Sequence, residues 1–589
     1  MKDMHIIPNK NLINNCAIPF QIVLIFSAFS ELLLGDAYYT PYLIILISAY
    51  ICLLLNFKCA VPVLKHLKIL SLLFALFFSL MVTLANYNIW SDKGISSFVL
   101  LGLLLLGSIS AFYQILIWCA VNAKKLCWQK CFDRLSPMKT FALSFFCIAT
   151  IDLIVLFLCK YPGILTTDSV WQIDQILSNH YSNHHPFWDT MTIRFFIYEG
   201  LHLFHDINAA IACYSVFSII FMATSFSFAL ATIAELNAPK WVTTLLLIFF
   251  SLMPYHIMYS FTMWKDVLFG GFTLSLVVFL FRINSNMSLK KFNYLGFIIT
   301  GMGVSLFRSN GLFVFVLTAL FFFIFYRMKN KRLVLLFVLI IFSSFILKHP
   351  VLKAMDVTQP DTIESLSIPV QQIVRDYIEH DDYTDDQREL LGKVIDLNQI
   401  KNNYNPQTSD PIKKLVREKD NQEYINENGG KFISLYLSRL RKHPLSFVRA
   451  WIDQTKGYWN AGYPYWRWAD WVTSNDFGAE QRINNKWLNA KINSYLMKYE
   501  QWPMLWIFLS IGFFDWLALW AFFISICRQD KAGIMTSIPI IFVVISLMIA
   551  TPVFSEFRYA YASFCTLPII LTLVLRPNII IQRKDKSCG

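Results

Sequence analysis

The sequence predicts an all-α polytopic membrane protein. Of its 589 residues, 56% are hydrophobic and only 15% are charged, which is too little polar surface for a soluble chain of this length. The apolar residues are concentrated in segments of roughly 17–25 residues, the length at which a helix crosses a bilayer. Basic residues gather in alternate loops, as the positive-inside rule requires. That arrangement accounts for the net charge of +13 without a nucleic-acid partner.

Hydropathy predicts about fourteen transmembrane helices. They are expected at residues 18–36, 41–57, 69–87, 97–122, 141–160, 207–233, 241–259, 266–282, 293–307, 311–326, 333–348, 502–527, 533–551 and 558–576. The basic loops, such as those at 124–139 and 327–332, all fall on one side. We therefore expect a multi-pass protein of the cell membrane with both termini in the cytoplasm.

These spans divide the chain into four parts. Residues 1–140 form N-terminal transmembrane helices, and residues 141–348 form a membrane core with a first outer loop at 161–206. Residues 349–501 are polar and punctuated by prolines, which predicts a mostly helical extracytoplasmic domain. Residues 502–589 return to the membrane and end in a cytoplasmic tail.

The first outer loop holds the least expected polar residues. The tripeptide YPG at 161–163 is expected to end the preceding span, and Thr167 or Asp168 to cap a new helix. From Asp168, Gln172 and Gln175 follow at i+4 and i+7, on one face of an amphipathic helix. A carboxylate at a membrane boundary is costly, so we interpret Asp168 as functional. The alternative is a polar face that only meets water and headgroups.

Further acids, bases and amides are expected on the same outer face. We predict that these residues bind substrate together with Gln172 and Gln175. They are His184, His185, Lys265, Asp266, Arg308, Asn310, Gln371, Arg375, Glu556, Arg558 and Tyr559. For any single cation among them, snorkelling to the headgroups is an equally simple explanation. Two nearby acids, Asp174 and Asp189, serve as comparisons, and helical spacing places Asp174 off the face of Asp168.

These residues favour group transfer from a lipid phosphate. The chain has no Gly-rich phosphate loop and no HExxH or GxSxG motif, so neither ATP nor NAD is expected. Lys and Arg can hold a phosphate, while Asp168 takes the proton of an acceptor hydroxyl. The sequence leaves a second role open, in which Asp168, with His184 or His185, binds a divalent cation such as Mg²⁺ or Mn²⁺.

The ordered motifs YPG-x4-DS-x2-Q, SNHHP, WKD, R-x-NG, IPVQQ-x2-R and E-x-RYAY resemble those of a group of polytopic membrane proteins of Gram-positive bacteria. A large outer loop that opens with an Asp and carries two amphipathic helices resembles the GT-C superfamily of membrane glycosyltransferases. The resemblance covers roughly residues 141–576. It implies a hexosyltransferase that uses a polyprenyl-phosphate sugar and a cell-envelope glycopolymer, lipid or protein as acceptor. Many members have two adjacent acids in this loop, whereas here Ser169 follows Asp168.

A different class of function fits the number of spans. A transporter or flippase of lipid-linked cell-envelope precursors predicts charged or broken helices near the bilayer midplane, often in two repeated halves. The sequence contains no such repeat and places its polar residues at span ends. A polymerase or ligase of surface polysaccharide would share the chemistry of the glycosyltransferase but use other donors.

Overall fold

The computed structural model describes residues 64–87, 95–130, 135–326, 330–419, 421–462 and 467–577. Within these ranges the chain is helical and forms no β-strand, although isolated β-bridges join several loop segments. The all-α prediction is therefore confirmed. The spans predicted at 18–36 and 41–57 lie outside the described residues.

The first half of the described chain is built mainly from long apolar helices. In order they are α1 (Lys65–Ala85), α2 (Ile95–Asn122), α3 (Pro137–Cys159), α4 (Thr167–Ser178), α5 (Phe187–Phe204), α6 (Ile207–Glu235), α7 (Lys240–Leu252), α8 (Pro254–Ser260), α9 (Lys265–Asn284), α10 (Lys290–Leu306), α11 (Gly311–Tyr326) and α12 (Lys331–Lys348).

Shorter helices follow, and long apolar ones then return. The short helices are α13 (Pro350–Ala354), α14 (Thr362–Ser365), α15 (Ser367–Glu379), α16 (Asp385–Gly392), α17 (Leu397–Asn403), α18 (Asp410–Glu418), α19 (Gln422–Glu427), α20 (Gly429–Lys442), α21 (Pro444–Trp459) and α22 (Lys486–Gln501). The remaining helices are a 3₁₀ helix at Pro503–Leu509, α23 (Ile511–Cys527), α24 (Lys531–Ala550), a 3₁₀ helix at Phe557–Ala560 and α25 (Tyr561–Val574).

Eight of the described helices are long and apolar enough to cross a membrane, or nine if the bent pair α7–α8 is one span. The bend of 58° falls where Pro254 opens α8, because proline cannot continue the hydrogen bonding of the preceding helix. Length and composition thus support a multi-pass membrane protein. The total of about fourteen spans and their orientation stay predictions.

Helix α9 is the centre of the membrane bundle. Within its apolar window 94% of the residues are buried, and it packs against α6, α10, α24 and α25. A helix that is apolar all round can be stable only when neighbours cover every face. The N-terminus of α9, at Lys265, is consequently enclosed by the ends of several other helices.

Residues 350–501, called here the inserted region, have a hydrophobic core of their own. It is formed by side chains between Ile363 and Phe447, including Val374 and Val416, and is separate from the membrane core. From the end of α21 onward this changes, because Trp459 belongs to the membrane core. The inserted region is therefore helical, as predicted, and its last part is anchored on the membrane helices.

Candidate functional site

A tight turn at residues 161–163 leads from α3 into the site. Gly163 has φ of +133°, and a Cβ there would clash with the side chain of Ser215 and the carbonyl oxygen of Phe261. Only glycine avoids both contacts, so the chain can pass directly over α6. The next residue, Ile164, then donates its N–H to Phe261 O at 3.1 Å and accepts from Met263 N at 3.1 Å. This pairing fixes the start of α4 beside the start of α9.

Helix α4 begins one residue earlier than the sequence analysis predicted. Its N-cap is Thr166, not Thr167 or Asp168, and Ser169 Oγ accepts from Thr166 N at 3.1 Å. The Ser169 hydroxyl donates in turn to Met263 O at 2.7 Å, and Trp264 Nε1 donates to Thr166 Oγ1 at 2.7 Å. The cap is thus bonded to the segment before α9, which places Asp168 in the first turn of α4.

Asp168 forms an ion pair with Arg558 from the other end of the sequence. Nη1 of Arg558 donates to Oδ2 of Asp168 at 2.6 Å. Burial raises the pKa of Asp168, but Arg558, Lys265 and His185 together outweigh it and hold the pKa well below its usual range. The Asp168 side chain remains 31% exposed, so an ionised carboxylate faces accessible space.

Lys265, the first residue of α9, meets the double histidine of the loop between α4 and α5. Its ammonium nitrogen lies 3.1 Å from Nδ1 of His185, which must accept the hydrogen bond because an ammonium group only donates. Burial and Lys265 lower the pKa of His185 to about 2, so the ring is neutral. His184 is half-buried and stacks edge-on against Trp171, which gives the loop an aromatic wall.

Arg308 is presented by the turn between α10 and α11. A Cβ on Gly311 would overlap Val304 O, so glycine lets the turn close tightly. Nη1 of Arg308 lies 3.1 Å from Oδ1 of Asp266 and donates to Tyr559 O at 2.5 Å. Asn310 Nδ2 donates to a side chain of α24 at 2.6 Å. The turn is therefore bonded to α24 and to the 3₁₀ helix before α25, as well as to α9.

Glu556 and Tyr559 complete the cluster just before α25. Glu556 is 6% exposed, and its Oε1 lies 3.2 Å from Nε of Arg558. Burial raises the pKa of Glu556 to about 7, against the opposite effect of Arg558. The Tyr559 ring lies between two cations, 5.2 Å from the guanidinium carbon of Arg308 and 5.3 Å from that of Arg558.

The two glutamines predicted to line the site with Asp168 are buried instead. Gln172 donates to Asp189 Oδ2 at 3.0 Å and to Thr190 Oγ1 at 2.9 Å, and Gln175 Oε1 accepts from Ser182 N at 2.8 Å. Helix α5 covers this face of α4, which the spacing alone could not show. Gln172 and Gln175 therefore act by positioning α4.

Asp189 is unsuitable as a comparison, contrary to the prediction. Its side chain is fully buried beneath α4, and burial raises its pKa to about 7. The second comparison, Asp174, is exposed as predicted. The sequence also gave no indication of Lys348, whose ammonium group donates to the carbonyls of Arg308 and Ser309 at 3.1 and 3.2 Å.

Gln371 and Arg375 bond within the inserted region rather than to Asp168. Gln371 Nε2 donates to the carbonyls of Asn405 and Thr408, at 2.6 and 3.1 Å. Arg375 forms ion pairs with Asp453 at 2.7 Å and with Glu379 at 2.8 Å. Gln371 thus ties α15 to the loop between α17 and α18, and Arg375 ties α15 to α21, so both residues support the inserted region.

Asp168, His184 and His185 do not bring three ligand atoms together as a group within the described residues, and a metal there stays a prediction. Arg558 pairs with Oδ2 of Asp168, and Lys265 lies against Nδ1 of His185. The metal-like group within the described residues is elsewhere, in the inserted region: Asp376, His380 and His443. The two imidazoles of that group stack at 3.7 Å with planes only 11° apart, so their in-plane lone pairs do not converge on one ion.

A family model for a family of unknown function, DUF6020, matches residues 176–586, which is most of the chain. The chain belongs to the DUF6020 family. Neither the curated proteins nor the solved structures contain a match to the chain.

The DUF6020 match begins within α4 and extends beyond α25. It includes the double histidine, Lys265, Arg308 and the segment around Arg558. Asp168 lies just before the matched residues. The partners of Asp168 are therefore part of the DUF6020 segment. Asp168 itself precedes the segment, and in the structure its carboxylate lies against these partners.

Proposed function

We propose that this DUF6020 protein is a membrane glycosyltransferase that moves a sugar from a polyprenyl-phosphate donor to a cell-envelope acceptor on the outer face of the membrane. The observation that carries the proposal is the convergence of Asp168 with Lys265, Arg308 and Arg558 at one end of the helix bundle. A carboxylate for the acceptor and cations for a phosphate are the two requirements of this transfer.

The three cations suit a lipid phosphate. They stand at or beside the ends of apolar helices, where the headgroup of a lipid donor would lie. Arg558 has five N–H donors in a planar fork, and the carboxylates of Asp168 and Glu556 lie against only two of its nitrogens. The other nitrogen of the fork can bind phosphate oxygens and stabilise the charge that develops on the leaving group.

Asp168 supplies the carboxylate for the acceptor. Because its pKa is held well below the usual range, it is ionised at neutral pH and can accept the hydrogen bond of a sugar hydroxyl. The same low pKa makes it a weak base when Arg558 is paired with it. A donor phosphate that draws Arg558 away would raise the basicity of Asp168 when the substrates are bound.

A second function is favoured by features inside the membrane bundle. Asp152 and Asp515 are buried in the apolar helices α3 and α23, and α7–α8 is bent by 58°. Intramembrane acids and broken helices are typical of transporters. A flippase of lipid-linked precursors is therefore the alternative proposal.

The test is transfer by the purified protein in vesicles. Synthetic undecaprenyl-phosphate sugars, each with a labelled hexose, are supplied with cell-envelope fractions as acceptors. We expect label to move to the acceptor with release of undecaprenyl phosphate. Movement of the intact donor between leaflets without release of the sugar would instead support the flippase. Mass spectrometry of envelope polymers from a deletion strain would identify the sugar.

A further inference from the structure

Arg558 stands between two carboxylates that have different surroundings. Its Nη1 pairs with Asp168 at 2.6 Å, and its Nε faces Glu556 at 3.2 Å. The Asp168 side chain is 31% exposed, whereas that of Glu556 is 8% exposed. One guanidinium thus joins an accessible acid and an enclosed acid.

Asp168 and Glu556 share the Arg558 cation, and Glu556 has the weaker contact with it. Asp168 accepts a well-aligned charged hydrogen bond, and Asp266 has Arg308 at 3.1 Å and lies in the first turn of α9, where the helix dipole favours a negative charge. Neither Glu556 Oε1 nor Arg558 Nε makes an aligned hydrogen bond, and the two carboxylate oxygens of Asp266 also lack one. Because Glu556 is buried and poorly paired, it retains a proton more readily than Asp168 does.

We propose that Glu556 is the general acid of this site and gives its proton to the phosphate oxygen that leaves the sugar. This inference rests on the proposed glycosyltransferase function. It assigns opposite tasks to the two carboxyl groups that flank Arg558, since Asp168 takes the proton of the acceptor hydroxyl. Two acids with divergent environments commonly divide acid and base roles in this way.

The groups around Glu556 come from every part of the cluster. They are Arg558 and Tyr559 from its own segment, Asp168 from α4, Asp266 from α9, Tyr259 from α8 and Tyr458 from α21. Burial has the largest effect on the pKa of Glu556 and raises it. Asp266 and Asp168 raise this pKa further, whereas Arg558 lowers it, and the pKa is about 7 as a result. Near neutral pH a substantial fraction of the protein therefore carries the proton that the step needs.

The step balances without another reactant. The acceptor oxygen attacks C1 of the sugar, and the bond from C1 to the phosphate oxygen breaks with its electrons on that oxygen. Asp168 receives the hydroxyl proton, and Glu556 donates its own proton to the departing phosphate. Exchange with water then returns both carboxyl groups to their starting forms.

The placement of the two acids matches the routes of the two substrates. Glu556 immediately precedes the apolar stretch Phe557–Val574, from whose side a lipid donor arrives. Asp168 opens an amphipathic helix outside the long apolar helices and is the more accessible acid. The acceptor would thus reach Asp168 from water, while the donor phosphate lies against Arg558 and Glu556.

The experiment compares wild type, Glu556→Gln and Glu556→Asp in the vesicle transfer assay from about pH 5 to about pH 9. Wild-type activity should fall as the pH rises through about 7, because the acid form is lost. Glu556→Gln should lose roughly a hundredfold or more of the rate and show no such fall. Glu556→Asp should recover part of the rate, and its activity should fall at a different pH from that of wild type. Glu480→Gln, an exposed acid beside Arg482, is the matched control and should behave as wild type.

Several results would overturn the assignment. One is a wild-type rate that increases with pH through about 7, which would make Glu556 a base. Another is a Glu556→Gln enzyme with wild-type rate and pH profile, which would remove Glu556 from the step but leave the proposed transferase intact. Absence of transfer by wild type with every donor would instead refute the proposed function. Infrared difference spectra of wild type against Glu556→Gln give an independent readout, and lack of a protonated-carboxyl band below pH 7 would also contradict the proposal.

Discussion

Arg558 should control the affinity for the lipid phosphate. Substitution to Gln removes the cation that pairs with Asp168 at 2.6 Å and faces Glu556 at 3.2 Å, and so leaves two acids next to the phosphate position. A phosphate would then meet negative charge without its main counter-charge. We expect the variant to fold, because Lys265 and Arg308 still balance part of the cluster.

The size of the effect follows from one lost charged hydrogen bond. Such a bond is worth about 1.5–3 kcal/mol, which corresponds to a loss of roughly 10- to 150-fold in affinity. Arg558→Lys keeps the charge but not the planar fork, so its loss should be smaller than that of Arg558→Gln.

Calorimetric titration of the purified protein with a short-chain polyprenyl phosphate measures this affinity directly. Arg482→Gln is the matched control, because Arg482 is an exposed arginine whose side chain pairs with exposed Glu480 at 3.2 Å. Its affinity should equal that of wild type. If Arg558→Gln bound the polyprenyl phosphate as tightly as wild type, Arg558 would not be a phosphate ligand.

Three further predictions concern stability and topology. The raised pKa of Asp189 means that the folded state binds its proton more tightly than the unfolded state, so stability should decline between about pH 4 and the pKa of about 7. Asp189→Asn should therefore gain thermal stability relative to wild type at pH 8 but not at pH 4, and a loss at pH 8 would refute this. Arg439→Ala should destabilise the inserted region by about 3–5 kcal/mol, because Asp376 loses its buried partner at 2.6 Å. Limited proteolysis should show faster cleavage of this variant, whereas Arg441→Ala, at an exposed position, is the control and should be unaffected. A cysteine introduced at exposed Asn402 should react with an impermeant reagent in intact cells, and reaction only after lysis would reverse the predicted orientation.

The cluster could be located from the sequence because its signals are local. An acid in the first turn of an amphipathic helix and cations at the ends of apolar segments stand out against the hydrophobic background. The structure brings Asp168, Lys265 and Arg558 to one end of the bundle, although they are far apart in the chain. The break at Pro254 could also have been anticipated, since proline there interrupts the predicted span 241–259.

The remaining errors arise from tertiary packing. Periodicity places Gln172 on the face of Asp168, but only the docking of α5 decides that Gln172 reaches the buried Asp189 rather than a cleft. The motif around Gln371 contains polar residues that the sequence could not assign to a partner, and these proved to be contacts within the inserted region. The one-residue shift of the cap to Thr166 reflects its bond from Trp264, which is remote in sequence.

The most direct test of the central claim is the transfer rate of Asp168→Asn in vesicles, measured against Asp174→Asn. The substitution preserves the shape of the side chain and most of its hydrogen bonding. It removes the negative charge that pairs with Arg558, and with it the basicity of the carboxylate. Asp174 lies on the same helix, is exposed, and should tolerate the change. We predict that Asp168→Asn is inserted and folded but loses at least roughly a hundredfold of the transfer rate, the scale of a lost acid–base group, while Asp174→Asn remains near wild type. A near-normal rate for Asp168→Asn would contradict the account.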